Sequence, residues 1–278
     1  MEEFLKDKFN LPSFRPFQKD VISYIADNPT ADIFILSPTS SGKSLCFQFP
    51  ALYFKGLTVV ISPLKSLIFD QVEALHRKHI QATLLSGDTP EKEKAFIMEN
   101  ITSFKMVYTT PETLLSNYQF NQVLKKLGEK GLLNRFVIDE AHCVSTWGHD
   151  FRKNYLKLSA LKKDFSEVPI MAVTATATKK VSTNVLEILN MKSPKIFKNS
   201  FYRDNLNIII RDKDSESSCL ENIETMIKGK YKGKSGIIYC FSRNNCEKVN
   251  LILNRKGIKT EFYHAGMTKK QRETIQRN

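Results

Sequence analysis

Tryptophan occurs once in the 278 residues and cysteine five times, and no two cysteines stand at C-x-x-C spacing. That argues against a zinc site or a disulfide framework. Cys46, Cys143, Cys219, Cys240 and Cys246 are expected as reduced, mostly buried thiols of an intracellular protein. Long apolar runs are also missing. None approaches the roughly 18 residues that span a bilayer, so no membrane partner is expected. The first ten residues, MEEFLKDKFN, are charged and amphipathic and lack the apolar stretch of a secretory signal. No segment is of low complexity. Acidic residues are in short supply, 29 against 42 basic ones, which leaves a net charge of +13. The surplus points to a polyanion such as nucleic acid, with a solvated basic surface as the alternative. The basic residues are dispersed, which favours a groove or face over a disordered arm.

What is present is ordinary globular material, 41% hydrophobic and 26% charged. Short apolar runs alternate with amphipathic stretches. Strands are expected at 32–36, 57–61, 82–85, 105–109, 135–139 and 169–174, with helices such as SLIFDQVEALHRK and KKVSTNVLEILN between them. Runs this apolar are buried on both faces, so the fold class is α/β with a parallel sheet flanked by helices. The pattern restarts after SFYRDN, with expected strands at 206–210, 235–240 and 258–263. Three helices accompany them, about Ser217 to Lys230, CEKVNLILNRKG and a basic last one. A boundary is expected between Lys198 and Arg203, giving domains 1–200 and 201–278.

Two motifs carry chemistry. SGKS, Ser41 to Ser44, lies between a buried strand and a helix, where backbone N–H groups and the positive helix end favour phosphate. Lys43 would reach the β- and γ-phosphates, the Ser44 hydroxyl would bind Mg²⁺, and Gly42 would let the backbone approach closely. Ser37 stands where the strict phosphate-loop pattern has glycine. The second motif is FVIDEAH. Asp139 and Glu140 end an apolar strand, where parallel sheets place ligands. Asp139 there can hold Mg²⁺, and Glu140 can deprotonate an attacking water. An ordinary loop and a capped strand end are the alternatives for either motif alone. In one fold they point to an ATPase. His142, Cys143 and His149 could ligate zinc, but no second ligand pair supports that reading.

With these motifs in order, the chain resembles a superfamily 2 helicase and, more narrowly, a RecQ-type DNA helicase, over almost its whole length. FRPFQ (14–18) resembles the motif that reads adenine, which implies Gln18 on the base edge and Arg15 in support. PTSSGKSLCFQFPAL resembles motif I and implies nucleotide contacts from Thr39, Ser40, Ser41, Gly42, Lys43 and Ser44. VVISPLKSLIFDQV (59–72) and YTTPETL (108–114) resemble strand-binding motifs. IDEAHCVSTWGHDFR resembles motif II with its aromatic-rich loop, AVTATAT (172–178) motif III, and SGIIYCFSRNNCE with YHAGM the first motifs of a second RecA-like domain. The resemblance implies a RecA-like P-loop fold with a partial second RecA-like domain. It also implies ATP and Mg²⁺ as cofactors, and single-stranded and forked DNA as partners; it names no protein partner. The implied activity is DNA-stimulated ATP hydrolysis driving 3′-to-5′ translocation and unwinding in repair, recombination or replication. The implied location is with DNA, in a nucleus or a bacterial nucleoid.

Glu140, Lys43, Asp139 and His142 are the implied catalytic set. Thr174 and Thr176 would link the ATP and DNA sites, and Trp147, His149, Phe151, Arg152, Arg243 and His264 would serve coupling and DNA binding. A core role is the alternative for Trp147 and Phe151. Leu11 replaces an aromatic that often stacks on adenine, and Ser40 replaces a glycine, which implies backbone strain there. The family's later motifs, of the types A-T-x-A-F-G-M-G and Q-x-x-G-R-A-G-R, are not in this sequence. Weak turnover by the chain taken alone is therefore expected, and a nucleic-acid-binding protein without motor activity is the competing reading. The aromatic loop disfavours an RNA helicase of the DEAH type.

Overall fold

Among the described residues seven segments pair into one parallel sheet, six of them where the apolar runs place strands. The computed structural model describes residues 1–145, 147, 152–202, 205–213 and 215–277. The strands are β1 (Ile33–Leu36), β2 (Leu57–Ile61), β3 (Ala82–Leu85), β4 (Met106–Thr109), β5 (Leu133–Asp139), β6 (Ile170–Thr174) and β7 (Lys195–Lys198). Their order is β3-β4-β2-β5-β6-β1-β7, and every pairing is parallel.

Successive side chains point to opposite faces, and both faces are covered. Phe34, Leu36, Val59, Ile61, Phe136 and Ile138 join one apolar layer. Ile33, Ile35, Val60, Val137, Met171 and Val173 join the other. This explains why the strands read as continuous apolar runs. The helices expected over 66–78 and 179–190 form, as Lys65–His76 and Lys179–Ile188. Parallel pairing has one consequence for chemistry. The C-terminal ends of β1, β2, β5 and β6 lie along a single edge, and the polar residues there are Ser37, Ser62, Asp139 and Thr174.

β7 has no counterpart among the expected strands. KIFK is too short and too polar to read as one, with Ile196 half exposed. It forms because β1 offers an open edge, in register Leu36↔Lys198. Its flanking lysines suit an edge strand, because charge there discourages further pairing.

The chain divides into two compact units, Met1–Arg203 and Asp204–Asn278. The second contains helices Glu216–Lys228, Arg243–Arg255 and Lys269–Arg277. Lys248 pairs with Glu216 at 2.7 Å, and Lys256 pairs with Glu224, which ties the first two helices together. The strands expected at 206–210, 235–240 and 258–263 are not formed among the described residues. A strand exists only through a neighbour's hydrogen bonds. Among the described residues no ladder joins these runs to a neighbouring strand, and Ile208, Ile210, Ile237 and Tyr239 are exposed.

The cysteine expectation is also corrected in part. Cys46 and Cys143 are buried, but Cys219, Cys240 and Cys246 are half-buried. Burial pushes the Cys46 thiol up to about 12, so it is an inert core group. Among the described residues, no helix is long and apolar enough to cross a membrane.

Candidate functional site

The loop leaving β1 and the helix Leu45–Tyr53 that follows it build one wall of the site. Ser44 precedes that helix and makes no side-chain capping bond to it. Among the described residues, no backbone carbonyl accepts from the N–H groups of Gly42, Lys43 or Ser44. Three donors at a helix N-terminus, with a lysine in their midst, form an anion cradle. Lys43 Nζ meanwhile donates to the Pro38 carbonyl at 3.1 Å, across its own loop.

The loop is held from outside by the residues expected to read adenine. Arg15 Nη1 donates to Ser40 O at 3.1 Å, and Gln18 Nε2 donates to Gly42 O at 3.1 Å. The Gln18 carbonyl accepts from the Arg15 N–H at 3.0 Å, closing a capping box on helix Pro16–Asp27. Both ends of the buried Gln18 amide are therefore engaged here. A base edge would have to exchange with the loop carbonyl for Nε2.

Two loop residues carry positive φ. Ser40 sits at +62°, the left-handed conformation that the missing glycine would adopt without strain. Gly42 sits at +82°, and a Cβ there would collide with Gln18 Nε2. Gly42→Ala should cost about 1–2 kcal/mol in urea denaturation, the usual penalty for a side chain in this conformation. An unchanged unfolding midpoint would remove that argument.

The acid pair forms the opposite wall. Asp139 ends β5 and is 8% exposed. Its Oδ1 accepts from the Glu140 N–H at 3.0 Å, and Oδ2 lies 3.4 Å from Ser62 Oγ, a long contact. Burial first, and the Glu140 charge second, push Asp139 up to about 6. Burial lowers the Lys43 pKa, against the opposing pull of Glu140 and Asp139. Two crowded carboxylates beside a desolvated ammonium fit a divalent cation and a polyphosphate, which would compensate all three. Ser44 and Asp139 are the pair that would hold Mg²⁺.

Glu140 turns the chain at φ 49°, an uncommon conformation for a residue with a Cβ. The turn brings Glu140 Oε2 to 3.2 Å from His142 Nδ1. The same nitrogen lies 2.9 Å from Thr174 Oγ1 and 3.3 Å from Thr176 Oγ1. His142 thus joins the end of β5 to the end of β6. Tyr155, which no motif singles out, donates its buried hydroxyl to Asp139 O at 3.2 Å.

Trp147 is 62% exposed, so a core role is excluded. Its N–H donates to Ser145 Oγ at 3.2 Å, and Ser145 Oγ donates to Asn184 at 2.7 Å. The Lys180 ammonium stands 3.1 Å from the centre of the indole ring. Lys180 carries no signal in the sequence, because nothing local distinguishes it from other lysines. His149 and Phe151 lie outside the described residues. Arg152 turns inward: Nη1 donates to Pro63 O at 2.9 Å, fastening its loop to the segment after β2. In the second unit, Arg243 and His264 flank Gly266. His264 Nδ1 accepts from the Gly266 N–H at 3.2 Å, so Nε2 carries the proton shared with Glu247 at 2.9 Å. Among the described residues, no group of three or more His, Cys, Asp or Glu is placed to hold a metal on its own.

Comparison with known proteins extends this geometry. Residues 15–184 match the DEAD/DEAH box helicase family. The chain is 44% identical to the RecQ-like DNA helicase blm-1 of Caenorhabditis elegans, over 99% of its own length and 28% of that protein. It is 42% identical to the RecQ-like DNA helicase BLM of Xenopus laevis, over 99% of itself and 20% of that protein. It is 39% identical to the ATP-dependent DNA helicase Q1 of Rattus norvegicus, over 99% of itself and 45% of that protein. The chain therefore spans less than half the length of these relatives. Among solved structures, the DUF1998 helicase MrfA bound to DNA and AMPPNP superposes with a TM-score of 0.77 at 20% identity, over 100% of this chain and 42% of that one. The DEAD-box helicase Mss116 bound to ssRNA and UDP-BeF gives 0.65 at 18% identity, over 96% and 58%. At such identities the likeness is one of fold, and it is the RecA-like fold.

Proposed function

Because this chain belongs to the DEAD/DEAH box helicase family, we propose that it is the ATP-binding and part of the DNA-translocating portion of a RecQ-type helicase. Residues 1–200 serve as the first RecA-like domain and 201–278 as part of the second. It acts on single-stranded and forked DNA and resides with DNA. The observation that carries this reading is the convergence, on one sheet edge, of the phosphate loop, the Asp139–Glu140 pair and the His142 bridge to Thr174 and Thr176.

The residues divide the work as follows. The loop N–H groups and Lys43 bind the phosphates, and Lys43 leaves the Pro38 carbonyl when they arrive. Arg15 and Gln18 hold the loop from the base side. Ser44 and Asp139 would hold Mg²⁺, which would supply charge neutralisation on the phosphates. Glu140 takes the proton of the attacking water, and His142 orients Glu140. Thr174 and Thr176 connect that histidine to the segment that continues into helix Lys179–Ile188, whose Lys180 and Asn184 hold Trp147 and Ser145. A base stacking on Trp147 would displace Lys180 and be felt along this path.

The test is the ATPase rate with and without single-stranded DNA, for the chain and for Lys43→Ala. DNA stimulation that disappears in Lys43→Ala is expected. Equal background rates in both proteins would end the motor reading. Trp147→Ala should weaken single-stranded DNA binding about tenfold, the worth of one stacked base. Nucleotide binding should stay the same. A Trp147→Ala protein with unchanged DNA affinity would remove the stacking role.

A further inference from the structure

β7 and β1 end side by side, so the residues after them, Asn199 and Ser37, become neighbours although 162 positions separate them. Asn199 N–H donates to Leu36 O at 2.9 Å. The Ser200 N–H donates to Asn199 Oδ1 at 2.9 Å, which fixes the orientation of the side-chain amide. The amide nitrogen then points at Ser37 Oγ, 3.1 Å away, and an amide nitrogen can only donate. Ser37 is wholly buried. Its oxygen accepts from Asn199, so its own proton goes to Ser41 Oγ at 2.8 Å. Ser41 Oγ is thereby an acceptor toward Ser37, and its proton is turned away from Ser37. Among the described residues that proton has no acceptor. It belongs to a half-buried hydroxyl next to Gly42, Lys43 and Ser44 in the phosphate loop.

We propose that Asn199 is a positioning residue for the nucleotide: through Ser37 it orients the Ser41 hydroxyl as a donor to a phosphate oxygen. The inference rests on the phosphate-loop reading given above. A hydroxyl is indifferent between donating and accepting until a neighbour sets its direction. The one-way chain Asn199 to Ser37 to Ser41 sets it before the anion arrives, so no reorientation cost is paid on binding. It also places one end of the relay at the first residue after the sheet, before the link to the second unit.

The experiment measures dissociation constants for MgADP and a non-hydrolysable ATP analogue on the whole chain, together with melting temperatures. Ser41→Ala should weaken binding about tenfold, as expected for losing a hydrogen bond to an anion. Asn199→Leu, similar in size and without a donor, should weaken it severalfold. In the Ser41→Ala background Asn199→Leu should add nothing, because the relay then has no end. A purely structural role would lower the melting temperature of Asn199→Leu and leave its dissociation constants unchanged, which would overturn the proposal. Losses that simply add in the double variant would overturn it too. If nucleotide binding by the parent chain does not depend on Lys43, the phosphate-loop reading fails, and this inference falls with it. Lys43-dependent binding that is indifferent to Asn199 sinks this inference alone.

Discussion

Glu140→Gln is expected to bind MgATP about as well as the parent chain and to turn it over roughly 10²- to 10⁴-fold more slowly, the range for loss of a general base. The substitution keeps the shape of the side chain and removes only its ability to take a proton. The backbone that aims it is retained, because the φ of 49° and the N–H bond to Asp139 Oδ1 do not depend on the carboxylate. The amide can still meet His142 Nδ1, where the carboxylate oxygen now lies at 3.2 Å. Binding and chemistry should therefore separate cleanly in a single-turnover measurement with DNA present. A fall of less than tenfold would show that Glu140 is not the base.

The second large effect is on stability, and its sign is opposite to that of most charged-residue substitutions. Asp139 has its ordinary carboxyl value of 3.8 raised to about 6, chiefly by burial and then by Glu140, with Lys43 pulling the other way. Between about pH 4 and 6 the folded protein therefore retains a proton that the unfolded chain releases. Without Mg²⁺ or nucleotide, the stability contributed by this group is complete below about pH 4 and is lost as pH rises through about 6. At about 1.4 kcal/mol per pH unit, the charged form costs about 3 kcal/mol at neutral pH. Asp139→Asn keeps an acceptor for the Glu140 N–H and removes the charge. It should stabilise the chelated protein at pH 7.5 by up to about 3 kcal/mol and show no gain at pH 4. The same change deletes the proposed ligand for Mg²⁺, so MgATP should no longer stabilise the protein as it does the parent. Urea denaturation in a chelator at the two pH values decides the matter. A variant no more stable than its parent at pH 7.5 would mean that the buried charge is already compensated. Stability gained by losing a functional carboxylate is the signature of a site arranged for a ligand rather than for folding.

Several parts of this arrangement are legible in the order of amino acids alone. Strands β1 to β6 announce themselves because a parallel sheet covered on both faces needs unbroken apolar runs. SGKS and DEAH are legible because their chemistry depends on residues adjacent in sequence, each at a strand end that can itself be located. The exposed Trp147 follows from the polarity of its neighbours.

Other parts are not legible there. KIFK becomes β7 only because β1 has an open edge, which no local pattern records. Asn199 acquires a role only through that pairing, across 162 residues. Arg152 has the charge expected of a DNA contact, yet its guanidinium bonds Pro63, because the loop after β2 comes within reach of it. The apolar runs at 206–210, 235–240 and 258–263 have the composition of strands and no neighbour to pair with among the described residues. The sequence by itself determined which residues could do chemistry and which segments had to be buried, since side-chain type and hydrophobic period are local properties. Only the tertiary structure decided that the Ser41 hydroxyl accepts from Ser37 and that the Arg152 guanidinium meets the Pro63 carbonyl, because direction depends on partners that folding brings together.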